Sequence, residues 1–499
     1  MGKFRDLCNV YASLSAMRPT EADSFGHAAV VDGWKFDPAL FKDRIAKGLG
    51  DFPNKYRDVF ADELVTWAPR GPDAMKCEYE KMVADGEDEL FASRLVSSWV
   101  DTLAMAVEGW GCTKSQPALK RLAATTSNLH NLFEGEVRKI WEASPTVSQP
   151  PLVVLAPDGA WGPYTINSDK LNEITGIKLA LVSLPERYGN CPLLWTPLAH
   201  EVYGHDVPHG FLHGDRHIRE TTTIGMQPTG SEYWEGLIGD LKKGLMSSAS
   251  TVAPGNSLSE AWETIWRDVW LEEVAADVYG IVSMGPYFLV GMAGWLSAAR
   301  ATNPYAPYHE AGTMGNQILS RNGRPAGDHP PDILRLHAMM AAIEALPEGD
   351  EATRQQWRDL VNIVRKDIAG TVSTIDVFDV EEQQVLLQYP AQQLIADARA
   401  IGTYIATVPL PILGDKRIIE LKPWAKENDA IASAFTTLAT AHVAGGPLSS
   451  YDRDRCSPRH CLAGATKALF DAPGRSDTIN EYLMMAIGDQ FNKTFDFHP

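Results

Sequence analysis

The segment that most constrains this chain is a hexapeptide with a histidine at each end, His200-Glu201-Val202-Tyr203-Gly204-His205. In an ideal α-helix, two residues that are five apart lie about 140° from each other around the axis, so their side chains diverge. At the more familiar spacing of four, the angle is about 40°. If both imidazoles serve one site, the helix must therefore bulge or unwind by one residue before His205. Gly204 stands where this distortion is cheapest, because glycine has no Cβ that could clash.

These residue types are those of a hydrolytic metal site. Neutral imidazole nitrogens bind Zn²⁺, and a carboxylate next to the first histidine, here Glu201, can take a proton from a metal-bound water. We therefore predict that His200 and His205 bind a metal ion and that Glu201 acts as the general base.

A second acidic segment fits the first. The run Glu272-Glu273-Val274-Ala275-Ala276-Asp277 lies in a helical pattern from about residue 257 to residue 284. Glu273 and Asp277 are four apart and share a helix face. Glu273 is the predicted third ligand, and Asp277 is expected to hold a ligand histidine by its free N–H. Glu272 is the alternative third ligand.

The two motifs resemble those of gluzincins, zinc metallopeptidases whose third ligand is a glutamate on a second helix. The six-residue His-Glu-x-x-Gly-His form with a Glu-Glu-x-x-Ala-acidic partner is most similar to the dipeptidyl peptidase III type. The resemblance covers these segments and not the whole chain. It implies a zinc site formed by His200, His205 and Glu273, within a zincin-like core.

A third segment, His329-Pro330-Pro331-Asp332-Ile333-Leu334-Arg335, is similar to the His-Pro-x-x-x-x-Arg element of prenyl-protein and stress-induced membrane metalloproteases. That resemblance implies that His329 helps to stabilise the oxyanion. Arg335 would then be either an oxyanion partner or the salt-bridge partner of a carboxylate. The structural alternative is a turn in which Pro330 opens a helix through Leu346, with Asp328 or His329 near its N-cap.

Two apolar runs before the first motif, residues 151–156 and 177–185, are rich in branched residues and are predicted to be β-strands. In zincins a small sheet precedes the metal-binding helix, and its edge strand holds the substrate backbone. Residues 179–184 are the candidate for that edge strand. The alternative is a buried strand that makes no contact with a peptide.

The rest of the chain favours helices. Amphipathic spacing predicts them in residues 41–70, 75–110, 115–143, 352–370, 380–405, 426–444 and 476–492. The expected fold is mainly α with a small mixed β-sheet, an α+β class. We divide it into a helical N-terminal region (1–149), a zincin-like metal-binding core (150–350) and a helical C-terminal region (351–499). A hairpin turn is expected at Gly414-Asp415.

Composition limits the class of partner and the compartment. The 499-residue chain has a formal net charge of −19, whereas a nucleic-acid-binding surface would be basic. The amino terminus has no apolar segment typical of a secretory signal, and the six cysteines are scattered, which favours reduced thiols in the cytoplasm. Cys456 and Cys461 are expected to be a thiol pair rather than part of a zinc knuckle.

The apolar run at residues 278–299 has the length of a membrane span. Gly285-Pro286 interrupts it, however, so we predict two buried helices and no membrane partner.

Together, these observations favour a cytoplasmic zinc-dependent metallopeptidase that acts on a peptide or another small-molecule substrate. One alternative is a metal-dependent hydrolase or lyase of a non-peptide substrate. Another is a non-catalytic protein with a structural metal, whose fourth ligand would be Asp206 or His209. His₂Glu sites also accept Mn²⁺, Fe²⁺ or Co²⁺, so the sequence leaves the identity of the metal open.

Overall fold

The computed structural model describes residues 2–16, 47–48, 50–51, 71–84, 105–112, 114–140, 150–156, 163–166, 179–206, 239–241, 265–302, 314–321, 324–325, 329–347, 350–368, 372–379 and 382–494, with isolated positions between 60 and 103 and at 171. Helices predominate in these residues, and the strands form two small mixed sheets. The predicted class, mainly α with a small β component, is confirmed.

The α-helices of the described residues are α1 (Lys3–Ala16), α2 (Gly71–Ala84), α3 (Gln116–Ile140), α4 (Leu198–His200), α5 (Leu271–Met284), α6 (Pro286–Thr302), α7 (Asp332–Ala345), α8 (Glu351–Ile368), α9 (Ala391–Thr407), α10 (Lys426–Ala441), α11 (Pro458–Asp471) and α12 (Ser476–Thr494). Two π-helical segments, Glu201–Asp206 and Ile265–Trp270, directly follow α4 and directly precede α5. The strands are β1 (Leu152–Ala156), β2 (Tyr164–Ile166), β3 (Leu181–Pro185), β4 (Gln317–Arg321), β5 (Arg324–Pro325), β6 (Thr374–Asp379) and β7 (Gln384–Pro390).

The first sheet has the order β1-β3-β2. Strands β1 and β3 are parallel, with Leu152 opposite Leu181, and β2 is antiparallel to β3. Both strands predicted upstream of the histidine motif are therefore present. The prediction that residues 179–184 form an edge strand is wrong, because β3 is paired on both sides. Its continuous apolar run is typical of a strand buried on both faces. Among the described residues, β2 lies at an edge instead.

The second sheet, with the order β5-β4-β6-β7, is absent from the sequence-based prediction. The helix predicted for residues 380–405 is wrong in its first part, since β7 occupies Gln384–Pro390 and α9 begins only at Ala391. Proline cannot lie inside a helix without losing a hydrogen bond, and Pro390 is the N-cap of α9. Antiparallel pairing with the preceding strand β6, and not helical spacing, makes these residues a strand.

The apolar run at residues 278–299 forms two buried helices, as predicted. Helix α5 ends at Met284, and Gly285 follows with φ +62°, where a Cβ would lie 2.4 Å from the Trp424 ring. Within the described part of the chain, no helix combines the length and the apolarity that a membrane span requires.

The observed α3, α8, α10 and α12 match the predicted helices at residues 115–143, 352–370, 426–444 and 476–492. Most of residues 41–70 fall outside the described residues. In the range predicted as helix from 75 to 110, α2 contains residues 75–84 and residues 105–108 are also helical. The turn at Gly414-Asp415 is confirmed: both residues have positive φ, and Leu410 pairs with Lys416 across it.

The thiol pair is also confirmed, since the Sγ atoms of Cys456 and Cys461 lie 3.5 Å apart in the interior. One buried hydrophobic cluster extends from Phe4 on α1 to Phe491 on α12. The division into three regions stays a prediction.

Candidate metal centre

The predicted helix distortion is present at the histidine motif. Helix α4 continues without a break as the π-helix Glu201–Asp206. A π-helix closes its hydrogen bonds between residues five apart, so His200 and His205 come to lie on one side. Their Nε2 atoms are 3.1 Å apart, and the rings meet edge to face with centroids 4.8 Å apart.

Gly204 permits the close approach of the second ligand helix. It is not among the glycines with positive φ, so the π turn does not require an unusual backbone conformation there. A Cβ at this position would lie 2.3 Å from the Cβ and 2.4 Å from the Cα of Ala276 on α5. The glycine is therefore needed for packing between the two helices, a reason that the sequence alone did not reveal.

Helix α5 supplies the third candidate ligand. Glu273 is buried in its first turn, with Oε2 3.2 Å from His200 Nε2 and Oε1 3.4 Å from His205 Nε2. One ligand atom from each of His200, His205 and Glu273 lies within 4.8 Å of the others, and this group can hold a metal ion. Glu272 is placed differently: its side chain is 38% exposed, and Oε1 lies 3.2 Å from His205 Nδ1.

Asp277, one turn after Glu273, is fully buried and lies 2.9 Å from His200 Nδ1 through Oδ1. Arg335 on α7 donates two hydrogen bonds of 2.8 Å to this carboxylate, from Nε to Oδ2 and from Nη2 to Oδ1. Of the two roles expected for Arg335, the structure therefore shows the salt bridge. The pair holds the orienting carboxylate of His200 in place on two helices.

The donor set fits a metal ion. When the Nδ1–H of each neutral imidazole is donated to a carboxylate, the lone pair is on Nε2. Both Nε2 atoms then face each other and the Glu273 carboxylate, which is repulsive unless a cation lies between them. Glu273 Oε2 is buried without a well-aligned hydrogen bond.

The separations within the group also agree with a bound ion. Tetrahedral ligands at zinc distances are about 3.3 Å from each other. The separations observed between the ligand atoms of His200, His205 and Glu273 are 3.1, 3.2 and 3.4 Å.

Even without a metal, the carboxylates around the two histidines favour the protonated, positively charged imidazoles. Burial alone would lower the pKa of both histidines. For His200, the hydrogen bonds to Asp277 and Glu273 outweigh burial and raise the pKa. For His205, the charge of Glu273 and the contact with Glu272 raise the pKa well above its ordinary value. Burial would raise the pKa of Glu273, but the nearby imidazoles hold it well below its usual range.

The two predicted catalytic residues lie at the same site. Glu201 is buried, and the charge of its carboxylate contributes to the raised pKa of His205. His329 is 60% exposed, and its Nε2 lies 3.1 Å from Glu273 Oε2. It thus contacts the candidate ligand Glu273 without joining the group of three.

Two further contacts were not predicted. Thr165 on β2 donates from Oγ1 to the backbone carbonyl of Glu201 at 3.1 Å, and no sequence motif pointed to it. Asp332, three residues after His329, accepts hydrogen bonds from Arg300 and from the Gly315 N–H. It thereby anchors the segment that carries His329.

Comparison of the chain with protein-family models, curated proteins and solved structures gave no match. The resemblance to gluzincins therefore rests on the sequence motifs and stays a prediction.

Proposed function

We propose that the protein is a zinc-dependent metallopeptidase. The observation that carries this proposal is the convergence of His200, His205 and Glu273 at tetrahedral spacing, with Glu201 directly after the first ligand. Two imidazoles and one carboxylate form the ligand set of hydrolytic zinc sites, which keep a fourth position for water or substrate.

Zinc bound here would lower the pKa of a coordinated water and polarise the scissile carbonyl. Glu201 would accept the proton of the attacking water and pass it to the leaving amine. His329, on the exposed side, would donate a hydrogen bond to the developing oxyanion. Asp277 and Arg335 would keep His200 in the orientation and tautomer that present Nε2 to the ion.

The position of β2 supports a peptide as the substrate. Among the described residues, β2 pairs only with β3, so within this part of the chain its outer edge is open to a further strand. Thr165 ties this strand to the backbone of Glu201. An extended peptide that adds to this edge would lie beside the general base, as β-augmentation requires. A small non-peptide substrate would make no use of this edge.

The first experiment measures metal content by plasma mass spectrometry on the purified wild type and on His205→Ala, Glu273→Ala and Glu201→Gln. We expect about one zinc per chain in the wild type and in Glu201→Gln, and little in the two ligand variants. A mixed-peptide screen then compares the wild type with Glu201→Gln, which should bind zinc but not cleave. A wild type that takes up no added Zn²⁺ would overturn the proposal.

The same variants separate the alternatives. A structural metal needs a fourth protein ligand, and in the described part of the chain the group contains three. The suggested fourth ligands cannot be placed, because His209 lies outside the described residues and the Asp206 side chain is not described. If Glu201→Gln kept every activity while the ligand variants failed to fold, the metal would be structural. Hydrolysis of esters but of no peptide would favour a non-peptide substrate.

A further inference from the structure

Strand β7 is the edge of the second sheet, and it is exposed on both faces. Val385 and Leu387 are 45% and 55% exposed, and Leu386 between them is also exposed. Within the described residues, β7 pairs with β6 alone. An uncovered apolar edge strand is a template for another strand, and proteins usually protect such edges with charge, proline or a covering element.

The apolar surface continues from β7 across the sheet. On β4, Leu319 lies opposite Phe378 of β6, which in turn lies opposite Val385 of β7. Residues opposite one another in a ladder share a face, so these three side chains form one row across three strands. Leu319 is 44% exposed at the inner end of this row. A further strand beyond β7 would extend the row and bury its outer end.

We propose that β7 pairs antiparallel with β7 of a second copy of this chain. No residue from Gln384 to Pro390 carries a charge, so the pairing brings no like charges together although the chain carries −19. Antiparallel pairing also places Glu382, just before β7, near the end of the partner's strand, where α9 begins without a side-chain cap. A helix N-terminus attracts a carboxylate, and a two-fold axis repeats this contact twice.

The opposite edge of the sheet explains why association would stop at two copies. Among the described residues that edge is β5, which consists of Arg324 and Pro325. Its arginine is charged and its proline has no N–H to donate, so it cannot accept a further strand of any length. Of the two edges that the described residues form, β7 is therefore the one with room for a further strand, and two-fold pairing through it closes as a dimer.

The test is sedimentation equilibrium of the full chain from about 1 to 100 µM, the range in which Kd values of weak to moderate dimers fall. Leu387→Lys places a charge on the exposed edge and should weaken dimerisation at least tenfold. Leu319→Lys is the matched control, because it adds the same charge to an exposed leucine of the same sheet, two strands from the edge. It should change the dimer Kd by less than about twofold.

Circular dichroism of both variants should match that of the wild type, since each leucine is exposed. Hydrogen exchange should show the amides of β7 more protected at high protein concentration than at low concentration. A chain that is monomeric throughout the range, or a dimer that Leu387→Lys leaves intact, would overturn the proposal. Neither result depends on zinc or on peptidase activity.

Discussion

Gly204→Ala tests whether the approach of two helices creates the metal centre. The new Cβ would lie 2.3 Å from Ala276 Cβ, whereas ordinary contacts begin at 3.4 Å, so the helices must separate by about 1.1 Å. Ligand distances at a metal site tolerate about 0.2 Å. Because His205 and Glu273 are on the two helices that separate, we expect the affinity for zinc to fall more than about 100-fold.

The effect on stability is smaller and needs a control. Overpacking costs about 1–3 kcal/mol, while alanine in a helix gains about 1 kcal/mol over glycine. Gly488→Ala on α12 is the control, because it has the same gain in helix propensity without the clash. The nearest atom to its Cβ would be Arg121 Cγ at 3.9 Å. Without metal, the free energy of unfolding of Gly204→Ala should therefore be about 1–3 kcal/mol lower than that of Gly488→Ala.

Zinc affinity is measured by competition with a chromophoric chelator, and stability by urea unfolding in EDTA. If Gly204→Ala bound zinc as tightly as the wild type and matched Gly488→Ala in stability, the helix contact would not position the ligands. The structural explanation for the glycine would then be wrong.

Three further predictions concern single side chains. Asp277→Asn should weaken zinc binding about 10–100-fold in the chelator assay, because Arg335 and His200 lose their shared carboxylate. Glu272 is more exposed, so Glu272→Gln should lower the affinity for zinc less than tenfold in the same assay. His329→Ala should lower kcat about 10–1000-fold with zinc content unchanged, and an unaltered kcat would exclude an oxyanion role. Burial, followed by the charges of Arg399 and Arg365, lowers the pKa of His337 from 6.5 to about 4. As the pH falls below 6.5, the unfolded chain takes up a proton on this histidine before the folded chain does. About 2 kcal/mol of the free energy of unfolding should therefore be lost between pH 7 and pH 5, as measured by urea unfolding. His337→Gln should remove this part of the pH dependence.

The helix distortion at the histidines was predictable because it depends on local geometry. Two histidines five apart can serve one site only if the helix has an extra residue in that turn, and the π-helix Glu201–Asp206 meets this requirement. The spacing of Glu273 and Asp277 likewise predicted that they share a face, because every α-helix has 3.6 residues per turn.

The errors arose where pairing between strands decides the outcome. An apolar run predicts a strand, but its place within a sheet depends on which other segments pair with it, and β3 proved to be central. The helical spacing before Pro390 was overridden by pairing with β6. The whole second sheet was missed because its strands are short and because the pairing of β4 with β6 joins segments that α7 and α8 separate in the chain.

The sequence by itself determined the chemistry available to this protein: two imidazoles, a neighbouring carboxylate and a second acidic helix, at spacings that helix geometry converts into shared faces. Only the tertiary structure decided that Glu273 faces the histidines while Glu272 lies behind His205, and that Arg335 pairs with Asp277. These outcomes depend on how rigid helices pack against one another. Gly204 shows the link most directly, since the absence of one Cβ sets the distance between the two ligand helices.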